Sequence, residues 1–379
     1  MKKTILSCSM LIFVLLLAGC KNTKKDNNTA ATATPSPMPI STLAPKDVKD
    51  SNTAGDGQQE RPQALKIEDY YPIKANAEYT YEGKGNEYAA YTRVTDYIDL
   101  ANNKVQLRSN NGGTETVDVI EIKNGKVSLI KRVQECYYRD NFLEKSTDGS
   151  DAEILLMEPL EKGTSWTLPN GNKRYISAID VKTDTPSGSY QAVEVTTNEA
   201  EGGITKDYYA PKAGLVKSIH EFEKMKVSST LAKIKSDTPF TQTITVFHPD
   251  EDEKLHTASL TLSFRTGDIT RQVLQDTLRQ ETAKDTYLPL LSEKTKINTL
   301  YLGSDNIVYV DFSSDLVKNM NAGAGFETLI LQGITNTLGN YYGTEQVYIT
   351  IDGQPYSSGH ILMKKGETFM VNTDNTVYE

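Results

Sequence analysis

Cysteine is almost missing from this 379-residue chain: there are three, at positions 8, 20 and 136. So few exclude a disulfide framework or a cysteine-rich metal centre. Histidine is scarce as well, at positions 220, 248, 256 and 360, and there is one tryptophan. Positive charge is in deficit, with 41 Lys and Arg against 50 Asp and Glu, a formal net charge of −9. The deficit is steepest over residues 241–379, which hold ten Lys or Arg and eighteen Asp or Glu. That sign repels phosphate backbones and anionic lipid, so the expectation is no nucleic acid partner. The apolar run Met10–Ala18 has nine residues, too few to cross a bilayer as a helix. No G-x-G-x-x-G, Walker A, G-x-S-x-G or H-E-x-x-H occurs, which removes the common sequence signatures of nucleotide binding and hydrolysis.

The first residues set the compartment. Lys2 and Lys3 precede the apolar run, and Leu17-Ala18-Gly19-Cys20 follows it. Basic start, short apolar stretch and small residues describe a removable signal. The four residues ending at Cys20 resemble the bacterial lipoprotein box. That resemblance implies cleavage after residue 19, a diacylglycerol on the Cys20 thiol, and a chain anchored on the extracytoplasmic face of the cell membrane. Losing Lys2 and Lys3 takes the formal charge to −11. Residues 20–66, with "ATATPSPMP" and almost no large apolar side chain, cannot offset their ordering entropy and are read as a disordered tether. A flexible chain of that length reaches roughly 35–40 Å.

Residues 67–236 read as strands. Val117-Asp118-Val119-Ile120-Glu121-Ile122 and Ala192-Val193-Glu194-Val195 carry alternating apolar positions, the period of a half-buried strand. Asn111-Gly112, Asn124-Gly125, Asn170-Gly171 and Ser187-Gly188 fall between such runs and suit tight hairpins. Short turns require antiparallel neighbours, so the expectation is an antiparallel β meander, either a curved sheet or a partial barrel. Thirteen tyrosines lie here, including the pairs 70–71, 137–138 and 208–209. Tyrosine suits sheet faces and can also line a concavity for a glycan or peptide. "TPSGSYQAVEVTT" and "DYYAPKAGLVKSI" look like a β-rich module of bacterial extracytoplasmic lipoproteins, a likeness that implies fold and no chemistry. Cys136, in "QECYYRD", is read as a half-buried bystander, because no particular histidine is placed beside it.

From Pro239 the pattern changes, and residues 239–379 are read as a small C-terminal α/β sandwich domain, making the chain α+β overall. "TQTITVFHP" ends a strand at Pro249. Asp268 is placed as the N-cap of a helix carrying Ile269, Val273, Leu274 and Leu278. Strands follow near 297–302 and 307–312, then a short helix, then an amphipathic helix through Phe326, Ile330, Ile334 and Leu338 with Gly339 as its stop. "QVYITID" closes the order β-α-β-β-α-β.

The runs "TITVFHPDEDEKLH", "NIVYVDFSSDL" and "ITNTLGNYYGTEQVYITIDGQPY" resemble the GerM domain of bacterial sporulation and spore-germination proteins. The family-motif residues here are Pro249, Asp311, Phe312, Ser313, Asn336, Asp352 and Gly353, which the resemblance implies are structural. This chain departs from the pattern at "TLRQETAKDTYL" and at Asn340-Tyr341-Tyr342-Gly343, and it carries one copy of the domain. The resemblance implies a non-catalytic, protein-binding module that helps build an envelope or spore assembly. In "NIVYVDFSSD", Ser313 is placed as a helix cap, Asp315 at the helix dipole and Asp311 towards solvent or a turn amide. "HPDEDEKLH" surrounds two histidines with four carboxylates but lacks EF-hand spacing, and His360 near Ser357 and Ser358 has no orienting carboxylate. The expectation is therefore no enzyme, no cofactor and no metal. A second possibility is a cell-surface glycan- or peptide-binding lipoprotein that uses the β domain.

Overall fold

Two-residue turns organise the first part of the chain. At Asn124 and Gly125 both φ angles are positive, 52° and 68°, and β4 (Glu115–Lys123) runs straight into β5 (Lys126–Gln134). The computed structural model describes residues 65–144, 152–280 and 286–378. The signal, Cys20 and the tether up to residue 64 lie outside the described residues. Among the described residues no helix is long and apolar enough to cross a membrane. Residues 62–379 form one compact unit.

Twelve strands make one antiparallel sheet. The others are β1 (Glu78–Lys84), β2 (Tyr91–Asp99), β3 (Lys104–Asn110), β6 (Glu153–Met157), β7 (Ser165–Thr167), β8 (Lys173–Thr185), β9 (Gly188–Asn198), β10 (Ile204–Ala210), β11 (Gly214–Phe222) and β12 (Met225–Lys235). Their spatial order is β6-β5-β4-β3-β2-β1-β12-β11-β10-β9-β8-β7, so β1 and β12 pair in the middle while β6 and β7 remain edges. The meander expected from the sequence is present, and it is an open curved sheet rather than a barrel. The curl brings its two wings over a shared core of Val105, Leu107, Ile120, Leu129, Leu156, Trp166, Ile176, Val195 and Tyr209. At the rim the Trp166 indole donates to the Ile154 carbonyl at 2.9 Å and Arg174 Nη2 to Glu153 at 2.8 Å, so side chains bridge the two edges without ladder bonds.

Bulges re-aim side chains between the faces of this sheet. Thr95 pairs with Leu107 and Tyr97 with Gln106, leaving Asp96 extra. Asp96 and Tyr97 consequently face outward with Gln106 and Arg108. Val119 pairs with Lys131 and Ile120 with Leu129, so Ile130 is extra and Arg132 joins the inner face. Six of the thirteen tyrosines, Tyr70, Tyr71, Tyr79, Tyr81, Tyr97 and Tyr209, are buried, and Tyr91, Tyr190 and Tyr208 pack against the core partly buried. Cys136 is buried as well, and burial pushes its thiol up to about 11. It stays protonated at neutral pH, which suits the bystander role.

The C-terminal region begins with an element that the sequence reading missed. β13 (Phe240–Pro249) returns as β14 (Leu255–Phe264), paired in register from Phe240↔Phe264 to Pro249↔Leu255. α1 (Thr270–Gln280), β15 (Ile297–Leu302), β16 (Val308–Phe312), α2 (Asp315–Met320), α3 (Ala324–Tyr342) and β17 (Gln346–Ile351) follow. The order is β-β-α-β-β-α-α-β, in place of β-α-β-β-α-β. It ends with the short strands β18 (Gln354–Pro355), β19 (Phe369–Met370) and β20 (Thr376–Val377). β13, β14 and β20 form one sheet, and β15-β16-β17-β18 with β19 form another. Phe264, Leu274, Phe312, Ile334, Leu338 and Ile349 share the core between them and the helices.

Two placements differ from the sequence reading. Gly339 does not stop α3, which runs to Tyr342 and ends at Gly343 with φ +68°. Gly339 is instead needed for close approach, since a Cβ there would lie 2.3 Å from Val371 Cγ2. The Asp268 carboxylate accepts the Arg265 N–H at 2.7 Å, closing the turn before α1 rather than capping the helix.

One loop joins the two regions. After β5 the chain carries Arg139 to the outer face of the sheet, where it is 1% exposed. Its Nη1 donates to the Tyr97 hydroxyl at 2.8 Å and to the Asp268 carbonyl. Nη2 donates to the carbonyls of Asp96 at 2.8 Å and Arg265 at 3.1 Å. The guanidinium lies between the rings of Tyr97 and Phe264, 4.2 and 4.7 Å from their centroids. Asp96 lies 3.6 Å from Arg139 Nε and 3.1 Å from Arg108 Nε. The Arg139 N–H donates to the Tyr341 hydroxyl of α3 at 3.0 Å.

Candidate functional site

The family-motif residues gather around the end of β16 and the turn after β17. Val308, Val310, Val347 and Ile349 are at most 1% exposed, so alternation turns Tyr309, Asp311, Tyr348 and Thr350 to the opposite face. Asp311 Oδ1 accepts the Thr350 hydroxyl at 2.6 Å and the Gly353 N–H at 2.7 Å, and Oδ2 accepts Asn298 Nδ2 at 2.8 Å. Asp352 and Gly353 both have positive φ, 46° and 78°, as a two-residue hairpin turn requires. The Asp352 carboxylate accepts the Ser314 N–H at 3.2 Å, and its N–H donates to the Phe312 carbonyl at 2.9 Å. Asp311 therefore holds the Gly353 turn amide, as the sequence reading allowed.

Ser313 does not cap α2. The N-cap position is Ser314, whose side chain makes no capping bond. Ser313 instead exchanges two bonds with Lys296: its N–H donates to the Lys296 carbonyl at 2.8 Å, and its Oγ accepts the Lys296 N–H at 3.1 Å. Phe312 is 1% exposed in the core. Asn336, fully buried on α3, grips main chain: Nδ2 donates to the Asn372 carbonyl at 2.7 Å and Oδ1 accepts the Asn372 N–H at 2.9 Å. Pro249 ends β13, and its carbonyl accepts the Leu288 N–H at 2.8 Å. Cys20 lies outside the described residues.

The other candidates are committed within the chain. His248 is fully buried with Nδ1 3.1 Å from the Leu288 carbonyl, and His256 Nε2 lies 2.8 Å from Asp250 Oδ2. Among the described residues no group of three or more His, Cys, Asp or Glu side chains is set to hold a metal ion. The Ser358 hydroxyl donates to buried Glu327 and accepts the His360 main-chain N–H at 3.0 Å, so no Ser–His side-chain pair forms there.

Burial alone would raise the Asp311 carboxyl, but the bonds from Thr350, Asn298 and Gly353 outweigh it and hold the pKa below the ordinary value. Its stabilising contribution is therefore complete above the ordinary carboxylate range, about pH 4, and is lost as pH falls through the lowered value. Asp311→Ala is expected to cost about 1–3 kcal/mol at neutral pH by leaving these donors without their acceptor. Denaturant titrations at neutral pH and near pH 3 check this, and the gap between Asp311→Asn and the unaltered chain should narrow on acidification.

Sequence reasoning missed the aromatic row on the exposed sheet face. Tyr301 pairs with Tyr309 and Tyr309 with Tyr348 in register. The ring centroids are 5.2 Å apart for the first pair and 5.6 Å for the second. Tyr301 is 44% exposed. β15 is the sheet's edge. The signal was present as tyrosines at equivalent places in three strand patterns, but only register lines them up.

These residues define a small α/β module whose motif positions bond its own main chain and whose outward sheet face carries tyrosines. Residues 243–357 match the Germane family, described as sporulation and spore germination. No curated protein matches the chain. It is similar to the tandem GerMN domains of the sporulation protein GerM from Bacillus subtilis, at 19% identity over 31% of this chain and 41% of that one, with a TM-score of 0.25. It thus spans less than half of that structure. It is also similar to a candidate lipoprotein from Clostridium perfringens, at 17% identity over 35% of this chain and 87% of that one, TM-score 0.23. A Bacteroides fragilis protein with a YmcC-like fold matches at 14% identity over 44% of this chain and 98% of that one, TM-score 0.27.

Proposed function

We propose that this is a lipid-anchored extracytoplasmic protein, without catalytic activity, that serves sporulation or spore germination by protein–protein contact through its Germane region. The observation that carries this reading is the outward face of the β15-β16-β17 sheet. Tyr301, Tyr309 and Tyr348 stand there side by side, beside an edge strand whose outer side pairs with no other strand among the described residues. Tyrosine gives large contact area with few rotatable bonds and is enriched at interfaces, and an open strand edge is a template for a partner. The family match supports a role in spores, and Cys20 with its preceding residues supports the anchor. The Arg139 cluster gives the Germane region a rigid base.

Because that cluster ties the regions together, the test uses surface substitutions rather than truncation. Tyr301→Lys combined with Tyr348→Ser should leave the membrane level of the protein unchanged, remove its crosslinked higher-mass species, and lower the count of heat-resistant or germinating spores. Unchanged crosslinks and unchanged spores in that variant would overturn the proposal.

A further inference from the structure

The inner face of the twelve-stranded sheet holds an arginine that, alone among the described arginines, bonds neither a carboxylate nor a main-chain carbonyl. Arg108 and Arg139 meet Asp96, Arg132 meets Asp118, Arg174 meets Glu153 and Arg265 meets Asp237. Arg271 donates to the Ile297 carbonyl and Arg279 to that of Thr295. Arg93 has one acceptor among the described residues, the Ser109 hydroxyl, reached by Nε at 3.0 Å. Its guanidinium carbon lies 5.5 Å from the Tyr91 ring centroid, and the Tyr91 ring is stacked on Tyr81 at 4.3 Å. A half-buried cation with its two terminal nitrogens uncommitted is costly unless an anion completes it.

The surroundings are shaped for a ligand. Arg93 sits between two adjoining concavities that share it and Leu215. One is a polar bowl of about 310 Å³ walled by Tyr88, Ser109, Thr116, Asp118 and Arg132. The other is a pit of about 30 Å³ among Tyr71, Tyr79, Tyr81, Val105 and Leu107, with room for a group of one or two heavy atoms. Asp118 gives both oxygens to Arg132, at 2.7 and 3.0 Å. Asp207 accepts the Ser218 hydroxyl at 2.6 Å. Both carboxylates act on Arg93 through space without bonding it. They repel a singly charged group less than a doubly charged phosphate.

We infer that this concavity binds a short peptide by its free C-terminal carboxylate. The carboxylate lies on the Arg93 fork, the last side chain, no larger than alanine's methyl, enters the tyrosine pit, and the preceding residue fills the bowl. The planar guanidinium matches a carboxylate in bidentate geometry, and the bowl suits about two residues. The site is on the sheet face opposite Arg108 and Arg139, so it stands apart from the contact proposed above and survives that proposal's failure.

The experiment is calorimetric titration of the intact chain with N-acetyl-alanyl-alanine and with its C-terminal amide. The free acid should bind saturably with a Kd of about 0.1–1 mM, as its size allows. Amidation should weaken it about tenfold or more, the loss expected when a charge-assisted hydrogen bond is removed. Arg93→Gln should lose as much, and Arg93→Lys, which keeps the charge but not the fork, should recover only part. Acid and amide binding alike, acetate competing as well as the dipeptide, or no heat from the acid up to about 10 mM would each overturn the inference. The acid–amide comparison uses the unaltered protein, so a variant that fails to fold cannot mask the answer.

Discussion

Arg139→Ala is expected to destabilise the chain by about 3–5 kcal/mol, the cost of breaking a buried charge cluster by removing one partner. The substitution strands the Asp268 carbonyl and takes one donor from each of three further groups: the Asp96 and Arg265 carbonyls, which keep the Gly267 and Asp268 N–H, and the Tyr97 hydroxyl, which keeps Thr270. It leaves Asp96 buried with Arg108 as its remaining cation. It also empties the space between the Tyr97 and Phe264 rings, adding a cavity cost. Arg139→Lys should recover little, because a single ammonium with three donors cannot reach all four acceptors at once. Because these contacts join β2 to the loop before α1, the loss should fall on both regions. Denaturant unfolding followed by Trp166 fluorescence, which reports the twelve-stranded sheet, and by near-ultraviolet circular dichroism, which the Germane-region tyrosines share, measures it. A loss below about 1 kcal/mol, within the range of an exposed ion pair, would mean that the two regions are not tied at Arg139.

That cluster was invisible in the sequence, and the reason is instructive. Gln106 and Arg108 alternate with Val105 and Leu107, so the pattern reads them as the solvent face of a half-buried strand. They are 0% and 2% exposed because a second layer, the loop 135–143 and β13, covers that face. Strand periodicity reports alternation, not whether both faces are covered. Bulges at Asp96 and Ile130 were equally silent, and they decide that Asp96 meets Arg108 while Arg132 turns to the inner face. What was legible came from local chemistry: the hairpin at Asn124-Gly125, the strands at 297–302 and 308–312, the Asp352-Gly353 turn and the apolar face of α3. β14 was legible and passed over, since "LHTASLTLSF" alternates small polar residues with leucine at the period of a half-buried strand. Gly339 was misread because glycine signals both a helix end and a close contact. Only the position of Val371 distinguishes the two.

The C-terminal segment lies along α3 for a related reason, and Asn336→Ala should release it. Gln332, Asn336 and Gly339 recur at helical spacing and present one polar, narrow stripe. Gln332 donates to the Met370 carbonyl at 3.0 Å and to Asn336 Oδ1 at 2.7 Å. Asn336 imitates a strand neighbour by taking both the N–H and the carbonyl of Asn372, and Gly339 leaves room for Val371. Removing the amide deletes two hydrogen bonds to main chain and frees Gln332, a loss of about 2–3 kcal/mol. The effect should be local as well as global, since Asn372 is exposed on its far side and water can take over its main-chain groups. Downstream, β20 is held to β14 by the short parallel pairing of Leu255 with Thr376 and His256 with Val377. It should open with the segment. Hydrogen exchange of the Val371 amide, now bonded to the Glu345 carbonyl at 2.9 Å, should accelerate about 30- to 150-fold, the factor equivalent to that free energy. Amides in the middle of α3 should change only by the global loss. If Val371 exchanges at its original rate in Asn336→Ala, the side chain does not hold the segment, and the role assigned to this family-motif residue is wrong.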